Sequence, residues 1–439
     1  MTSFALGTNA ALDFSTYLGG SDLDQVRDLF IDSQGSVYVT GRTASTDFPT
    51  TAGVFQRTYN GGPQDAFVAK FARNGQLLFS TYLGGSAYDV GYGIVVDQAG
   101  FIYVSGRTSS TNFPVTPGSF QTTYGGGNAG SPPYFGGDFF VAKIKPDGSG
   151  IVWGTYVGGS GDDTARGRVA LDAAGAVYVE GLTQSPNFPV SGTAVQRTLH
   201  GKEDGAVIKL SPDGSQLVYG TYLGGNESLE EGAYGGILVD GNGEAWVIGT
   251  TSASDFPTTP NAFQRSLRGA ADAFLVRLSA DGSALRASTL LGGSGFEEAE
   301  ALALDRNGNP LLVGLTDSSD LAVTPGTVQT TLRGASDAFV VKLMPDLSRP
   351  VFFTYLGGSN REDSDASSGV QFDSAQNIWL MITTSSADFP VTPKALQSSL
   401  AGGQDIAVVE LAPDGSAILF STYLGGAGND FGRSMHMRD

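Results

Sequence analysis

The sequence contains no cysteine, only two histidines and no apolar run of about 18 residues. The lack of cysteine excludes disulfides and thiolate metal sites, and two histidines are too few for a three-histidine zinc centre. Without a long apolar run, no membrane span is predicted. Basic residues are also scarce, and a formal net charge of −19 argues against nucleic acid as a partner, because phosphates attract a basic surface.

The N-terminal stretch "MTSFALGTNAALDFS" lacks the basic start and long apolar segment of a signal peptide. We therefore expect either a cytosolic protein or a piece of a longer one. Helical periodicity is missing throughout the chain. Glycine is abundant instead, with 63 copies against a usual share of about 7%, and this indicates many turns between many short strands.

One five-residue phrase recurs seven times at intervals of 65 to 74 residues. It is written "TYLGG" or, with small changes, "TYVGG" and "TLLGG", and it occupies 16–20, 81–85, 155–159, 221–225, 289–293, 354–358 and 422–426. A fixed internal period of this kind is typical of repeat architectures.

Each repeat predicts four strands, which we name a, b, c and d. In the first complete unit these are "RDLFID" (27–32), "SVYVTGRT" (36–43), "DAFVAKF" (65–71) and "QLLFSTYL" (76–83). Asn74-Gly75 between strands c and d is a strong hairpin signal. A lone four-stranded antiparallel sheet leaves both faces uncovered, and radial stacking covers them, so the sequence predicts an all-β protein, a β-propeller.

The recurring phrase is interpreted as a hinge between blades. Strand d ends in Tyr-Leu, and the glycine pair lets the chain cross to the innermost strand of the next blade. Glycine tolerates both positive φ and close backbone contact, which a tight crossing needs.

Six units are complete and the two ends suggest a seventh. The complete blades are predicted at about 24–85, 86–159, 160–225, 226–293, 294–358 and 359–426. Residues 3–18 align without a gap on 68–83, and 430–439 resemble strand a at 24–32. Seven blades, the last one a composite of 3–18 with 430–439, are therefore favoured over a six-bladed ring, which would leave apolar residues of the first hairpin in water.

The consensus "TYLGGS…D…G..VD..G.VYV.G.T.S.DFP.T…FQ….GG..DAFV.KL" resembles the bacterial SBBP (seven-bladed β-propeller) repeat family along essentially the whole chain. The resemblance implies a propeller of the kind found in secreted or cell-surface bacterial proteins, and it implies no catalytic motif. The pattern is broken at "DLAVTP" (320–325) and at Asp346-Leu347, where the usual c–d turn has Asp-Gly.

Candidate site residues lie on the end of the ring that carries the d–a and b–c loops, which we call the loop face. One acidic residue per blade precedes the end of strand a: Asp24, Asp89, Asp163, Glu231, Glu297, Asp365 and Asp430. Exposed around the channel mouth, these carboxylates would collect cations, and calcium would suit them because it takes six to eight oxygen ligands. The alternative is that each one accepts backbone N–H bonds and ties adjacent blades together.

A longer b–c loop at 123–137 is the main departure from the repeat. Tyr124, Tyr134 and Phe135 could offer flat faces to sugar rings or to an apolar partner chain, or the loop could only cover its own blade. The charged residues are also unevenly distributed. Glutamates are concentrated in the later repeat units, whereas Arg166 and Arg168 lie in the third unit. His436 is expected to pack in the core or channel instead of acting as a general base.

We therefore expect a binding or scaffold propeller without turnover, extracytoplasmic as the resemblance implies, that presents its loop face to a polysaccharide or protein. No cofactor is expected, apart from calcium as the metal that the acidic ring would suit. The alternative is a carbohydrate-active hydrolase or lyase that uses rim carboxylates at the channel mouth.

Overall fold

The computed structural model describes residues 14–127, 136–165, 168–226, 230–363 and 369–437, without the side chains of 230–235 and 363. Twenty-six β-strands occur in this part of the chain. No helix there is long and apolar enough to cross a lipid bilayer.

The strands form six antiparallel sheets in chain order. The first sheet consists of β1 (Asp24–Ile31), β2 (Val37–Thr43), β3 (Asp65–Phe71) and β4 (Leu77–Leu83). The second consists of β5 (Asp89–Val96), β6 (Ile102–Thr108), β7 (Asp138–Ile144) and β8 (Ile151–Val157). The third consists of β9 (Asp163–Thr164), β10 (Val169–Leu171), β11 (Val177–Thr183), β12 (Asp204–Leu210) and β13 (Leu217–Leu223).

The other three sheets repeat this arrangement. The fourth consists of β14 (Glu230–Val239), β15 (Ala245–Thr251), β16 (Asp272–Leu278) and β17 (Leu285–Leu291). The fifth consists of β18 (Glu297–Leu304), β19 (Pro310–Thr316), β20 (Asp337–Leu343) and β21 (Pro350–Leu356). The sixth consists of β22 (Glu362–Asp363), β23 (Gly369–Phe372), β24 (Ile378–Thr384), β25 (Asp405–Leu411) and β26 (Ile418–Leu424).

The hydrophobic core lies between neighbouring sheets. Val68 and Leu83 of the first sheet belong to the same buried cluster as Ile94, Val104 and Phe140 of the second. Each blade therefore covers its neighbour, as stacked repeats require. Successive inner strands also lie side by side around the ring, from β1 through β5, β10, β14 and β18 to β23. The predicted all-β propeller of four-stranded blades is confirmed.

The c–d turns need a residue with positive φ, and glycine supplies it in most blades. Gly75 has φ 83° and Gly148 has φ 70°. In the fifth blade Leu347 takes this position with φ 57°, a conformation that costs a non-glycine residue roughly 1 kcal/mol or more. Its side chain is fully buried in the core between the fourth and fifth blades, and this burial offsets the strain.

The altered sequence "DLAVTP" retains the backbone contact with a tyrosine hydroxyl that the usual sequence makes. Leu321 replaces the usual phenylalanine, and its backbone N–H donates to the Tyr355 hydroxyl at 3.0 Å. Phe48 donates to Tyr82 in the same way at 3.1 Å in the first blade. Leu321 is buried, so the altered loop packs like the others.

Six blades are present in the described residues, and the seven favoured from sequence are not confirmed. Neither terminal segment forms a strand there. The N-terminal segment nevertheless occupies a strand d position. The Phe14 ring lies 3.0 Å from where a Cβ of Gly75 would stand, just as the Phe79 ring lies 2.7 Å from the Cβ position of Gly148.

The C-terminal segment occupies a strand a position beside the sixth blade. The Gly432 N–H donates to Thr383 Oγ1 at 3.3 Å. The Ala299 N–H at the start of β18 makes the equivalent bond to Thr250 Oγ1 at 3.1 Å. The last residues therefore follow the sixth blade as an inner strand would.

The same segment reaches the first blade and closes the ring. Ser434 donates to Asp28 at 2.7 Å, and the His436 ring lies 4.9 Å from the Phe30 ring. Burial and the nearby charge of Arg168 lower the pKa of His436 to about 4. This histidine is a neutral packing residue at neutral pH.

Candidate functional site

The recurring phrase closes each blade through its threonine and tyrosine. In the first blade Thr81 Oγ1 donates to the carbonyl of Gln56 at 3.0 Å. The Tyr82 hydroxyl donates to the carbonyl of Ser45 at 2.7 Å and accepts the N–H of Phe48. Both side chains therefore fasten strand d to the long b–c loop of the same blade.

The glycine pair lies in the crossover from one blade to the next, which we call the junction. A Cβ on Gly84 would stand 2.7 Å from Asp65 Oδ1 and 2.9 Å from Asp89 Oδ2. A Cβ on Gly85 would stand 2.5 Å from the Ser110 Cβ. Neither glycine has positive φ, so close approach of neighbouring side chains, and not backbone handedness, requires glycine here.

The same arrangement recurs around the ring, with the first residue of strand c on one side of the glycine and the acid of the next strand a on the other. The described sets are Asp65, Gly84 and Asp89; Asp138, Gly158 and Asp163; Asp272, Gly292 and Glu297; Asp337, Gly357 and Glu362.

The acids of each junction are fully buried. Asp89 Oδ2 accepts the N–H of Gly85 at 2.8 Å and the hydroxyl of Ser110 at 2.8 Å. Asp65 Oδ2 accepts the N–H of Asn60 at 3.0 Å. The other oxygen of Asp65 is buried without a hydrogen-bond partner among the described residues, and it lies 2.7 Å from the Cβ position of Gly84.

Burial keeps these carboxyls protonated well above their usual range. It raises the pKa of Asp65 to about 8 and that of Asp89 to about 7. At the next junction burial raises the pKa of Asp138 to about 8 and that of Asp163 to about 6. Because two such neighbours titrate together, each pair retains protons near neutral pH.

The register corrects the position of the acid in the fourth blade. Asp89 begins β5 opposite Thr108, and Glu230 begins β14 opposite Thr251. Glu231 is the next residue along the strand, so Glu230 is the true equivalent. β-Bulges in the inner strands change the number of residues before the end of strand a, and counting in the sequence therefore misplaced it.

The sixth blade requires the same correction. Glu362 begins β22 opposite Thr384 and accepts the N–H of Gly358 at 3.4 Å. Glu362 is thus the junction acid, while Asp365 lies outside the described residues. Asp24 and Asp430 are half-buried at the two ends of the series and accept the N–H groups of Gly20 and Gly426.

The expected ring of exposed rim carboxylates is therefore replaced, where side chains are described, by acids inside the junctions. Each described junction brings two carboxyls together, fewer oxygens than calcium takes. In the described part of the chain, no three histidine, cysteine, aspartate or glutamate side chains gather in a group that could hold a metal ion.

Tyr124 is a packing residue of the second blade. Its ring lies 5.9 Å from that of Tyr156 at 70°, matching Tyr59 and Tyr82 in the first blade at 5.8 Å and 71°. Tyr124 packs against the core between the first two blades, so it does not offer a flat face to a ligand. Tyr134 and Phe135 lie outside the described residues.

Four arginines on the loop face of the first two blades and the C-terminal segment were not predicted as site residues. We call Arg27, Arg42, Arg107 and Arg433 the arginine cluster. Arg27 lies at a β-bulge in β1, and its guanidinium is 5.4 Å from the ring centroid of Tyr92, which lies at the bulge of β5. Because these are inner strands, the pair lies at the channel mouth.

Tyr88 joins two more of these arginines. Its hydroxyl accepts a bond from Arg42 Nη1 at 2.9 Å, and the Arg107 guanidinium lies 4.9 Å from the centroid of its ring. Gln25 and Gln64 also accept bonds from Arg42 at 3.0 and 3.2 Å. "GRT" in strand b of the first two blades was the available sequence signal, since other blades carry leucine or threonine at the arginine position.

A family model for the SBBP beta-propeller repeat matches residues 13–49 and 78–114. These two segments are SBBP β-propeller repeats. The matched ranges cover the first two occurrences of the glycine-pair phrase and the inner strands that follow them, and they do not determine the number of blades. A search of curated protein sequences found no match to this chain.

Solved structures similar to this chain share little sequence with it. A protein of unknown function from Dyadobacter fermentans is 11% identical with a TM-score of 0.46, covering 85% of this chain and 94% of that one. BamB from Moraxella catarrhalis is 11% identical with a TM-score of 0.37, covering 87% and 91%. A PL25 ulvan lyase is 12% identical with a TM-score of 0.45, covering 94% and 96%. These likenesses are too distant to carry an argument about function.

Replacing Gly84 with alanine tests the junction geometry. The added methyl group would overlap both junction carboxyls, so we expect Gly84→Ala to lower the free energy of unfolding by about 1–3 kcal/mol, as overpacking does elsewhere. Gly192→Ala is the matched control, because nothing lies within 4 Å of its Cβ position. Urea unfolding of both variants measures the difference, and equal stabilities would contradict the close-approach explanation.

Proposed function

We propose that this protein is a non-catalytic binding or scaffold propeller of a secreted or cell-surface bacterial protein, which presents its loop face to a glycan or protein partner. The observation that carries the proposal is the contrast between repeated and blade-specific residues. Residues that recur in every blade build the junctions, whereas residues that differ from blade to blade lie at the channel mouth.

Burial of the repeated acids supports a role in architecture. Asp65, Asp89, Asp138 and Asp163 are fully buried and bond to backbone and hydroxyl groups of their own junction. A partner arriving from solvent does not reach them. The loop face is thereby left to residues that need not repeat.

Blade-specific residues at the inner-strand bulges support recognition at the mouth. The bulge position holds Arg27 in β1 and Tyr92 in β5, and both residues are half-buried. A cationic and an aromatic side chain at equivalent positions make the ring chemically asymmetric, and an asymmetric ring can orient a polar ligand. Residence outside the cytoplasm is proposed from the SBBP repeats.

The hydrolase or lyase alternative receives no support from the acids assigned to it. Acid–base pairs for glycoside cleavage must flank the sugar, at separations of about 5–9.5 Å. Asp89, Asp163 and Glu297 are fully buried and lie inside the junctions. A binding role therefore remains the better description of the loop face.

A glycan array probed with the intact chain tests the proposal. We expect retention of a subset of polysaccharides, and a Tyr134→Ala/Phe135→Ala variant tells whether the inserted loop takes part. Binding lost in the variant assigns the partner to the insertion, and binding retained assigns it to the rest of the loop face. No binding to glycans or to purified surface proteins, or release of reducing ends or unsaturated sugars from a polysaccharide, would contradict a non-catalytic binding role.

We also infer that ring closure uses a composite seventh blade. Phe14 docks on the first blade as a strand d residue does, and Gly432 bonds to the sixth blade as a strand a residue does. These contacts support a further blade that takes strand d from the N-terminal end of the chain and strand a from the C-terminal end. The N-terminal residues 3–13 align with strand c and its turn, which would lie between them.

Deletion of residues 1–13 tests this closure. Loss of the residues that align with strand c should lower the midpoint of thermal unfolding, by about 2–4 °C or less for each kcal/mol lost, because that range applies to chains of about 150–250 residues and the shift decreases with chain length. Tyr17→Ala is the control, because the Tyr17 side chain is fully exposed in the described structure and its loss should change nothing. An unchanged midpoint after the deletion would favour a six-bladed ring.

A further inference from the structure

Three members of the arginine cluster, Arg27, Arg42 and Arg107, have no ion pair with a described carboxylate. No described carboxylate lies within the 4.0 Å salt-bridge distance of the guanidinium groups of Arg27, Arg42 or Arg107.

Two of these arginines also have a buried Nε–H donor without a hydrogen-bond acceptor among the described residues. The Nε atoms of Arg27 and Arg107 are buried without a hydrogen-bond partner among the described residues, and the Arg107 side chain belongs to a residue only 6% exposed. Burying a polar group without a partner costs free energy. The described part of the chain therefore supplies no acceptor for these two Nε–H groups, although Arg107 Nη1 donates to Thr164 Oγ1 at 3.5 Å.

Electrostatic repulsion among the arginines at the channel mouth also favours binding of an anion. Burial, together with the charges of Arg433 and Arg42 and against the opposing effect of Tyr92, lowers the pKa of Arg27 to about 10. Arginines that repel one another in a half-buried site are stabilised when an anion enters between them. Planar guanidinium groups bind carboxylate and sulfate-like oxyanions through paired hydrogen bonds.

We propose that the arginine cluster binds the carboxylate or sulfate group of an acidic polysaccharide. The inference rests on the proposed function and names the class of glycan at the loop face. Arg42 is held in place by Gln25, Gln64 and Tyr88 and acts as the fixed donor, while Arg27 at the bulge receives the anion beside the Tyr92 ring. Uronate carboxylates and sulfate esters can both accept paired hydrogen bonds from guanidinium groups, and the experiment below distinguishes between them.

The net charge of the chain sets the selectivity of such a site. A charge of −19 repels polyanions at long range, but salt screens this repulsion beyond about 8 Å at physiological ionic strength. Only an anionic group that contacts the arginines directly gains binding free energy from them. Non-specific capture of acidic polymers is thereby suppressed on the rest of the surface.

Calorimetric titration of the full chain with three oligosaccharides of equal length tests the proposal: a uronate oligomer, a sulfated oligomer and a neutral one. We expect binding of at least one acidic oligomer, and the arm that binds identifies the anionic group. Arg27→Met should weaken that binding about tenfold or more, as loss of a charge-assisted bidentate contact does. The affinity of Arg27→Lys should lie between that of the unaltered chain and that of Arg27→Met. Arg349→Gln is the matched control, since it removes one exposed arginine from a c–d turn.

A second readout separates binding from structural support. Without ligand, Arg27→Met should raise the midpoint of thermal unfolding by about 2 °C or more, because it removes a repelled and unpaired charge. A lowered midpoint with unchanged affinity would make Arg27 structural and overturn the inference. Equal affinity for the neutral oligomer, or no binding to either acidic one, would also overturn it, while neutral-glycan or protein binding would leave the proposed function standing.

Discussion

The fold depends on two buried carboxyl groups that lie against one glycine at four of the described passages between blades. A blade buries its faces only against its neighbours, so the chain must cross between sheets in very few residues. At the first junction Asp65 and Asp89 approach Gly84 so closely that no Cβ fits. A side chain at that glycine would push the blades apart, and this explains why the phrase recurs almost unchanged while the blade faces vary.

Much of this architecture follows from local pattern. The regular spacing of the phrase, the Asn74-Gly75 hairpin and the alternating strands together predict four-stranded blades, because each is a short-range signal. Tolerated departures follow from the same logic: Leu321 preserves a backbone bond to Tyr355, and Leu347 accepts positive φ because its side chain is buried. Features of this kind can be recognised in the sequence of a single repeat, without knowledge of the neighbouring blades.

The site could not be predicted in the same way, because it depends on contacts across blades and on bulges. A bulge shifts the count along an inner strand, and the sequence count therefore points to Glu231 in place of Glu230. The acids expected to form an exposed cation-binding rim are buried and protonated in the junctions, and Tyr124 is half-buried against the core. The arginine cluster joins residues from 27 to 433, and only the closed ring brings such distant positions together.

The buried acid pairs make stability depend on pH in a direction opposite to that of ordinary ionised carboxylates. The pKa values of Asp65 and Asp89 are raised to about 8 and about 7 in the folded chain, so the unfolded chain loses these protons first as pH rises. The free energy of unfolding measured by urea titration should therefore fall between pH 5 and pH 8, by up to about 1.4 kcal/mol per pH unit for each such group. Asp65→Asn should flatten the slope. Stability that rises over this range would show ionised, stabilising carboxylates and contradict the junction described above.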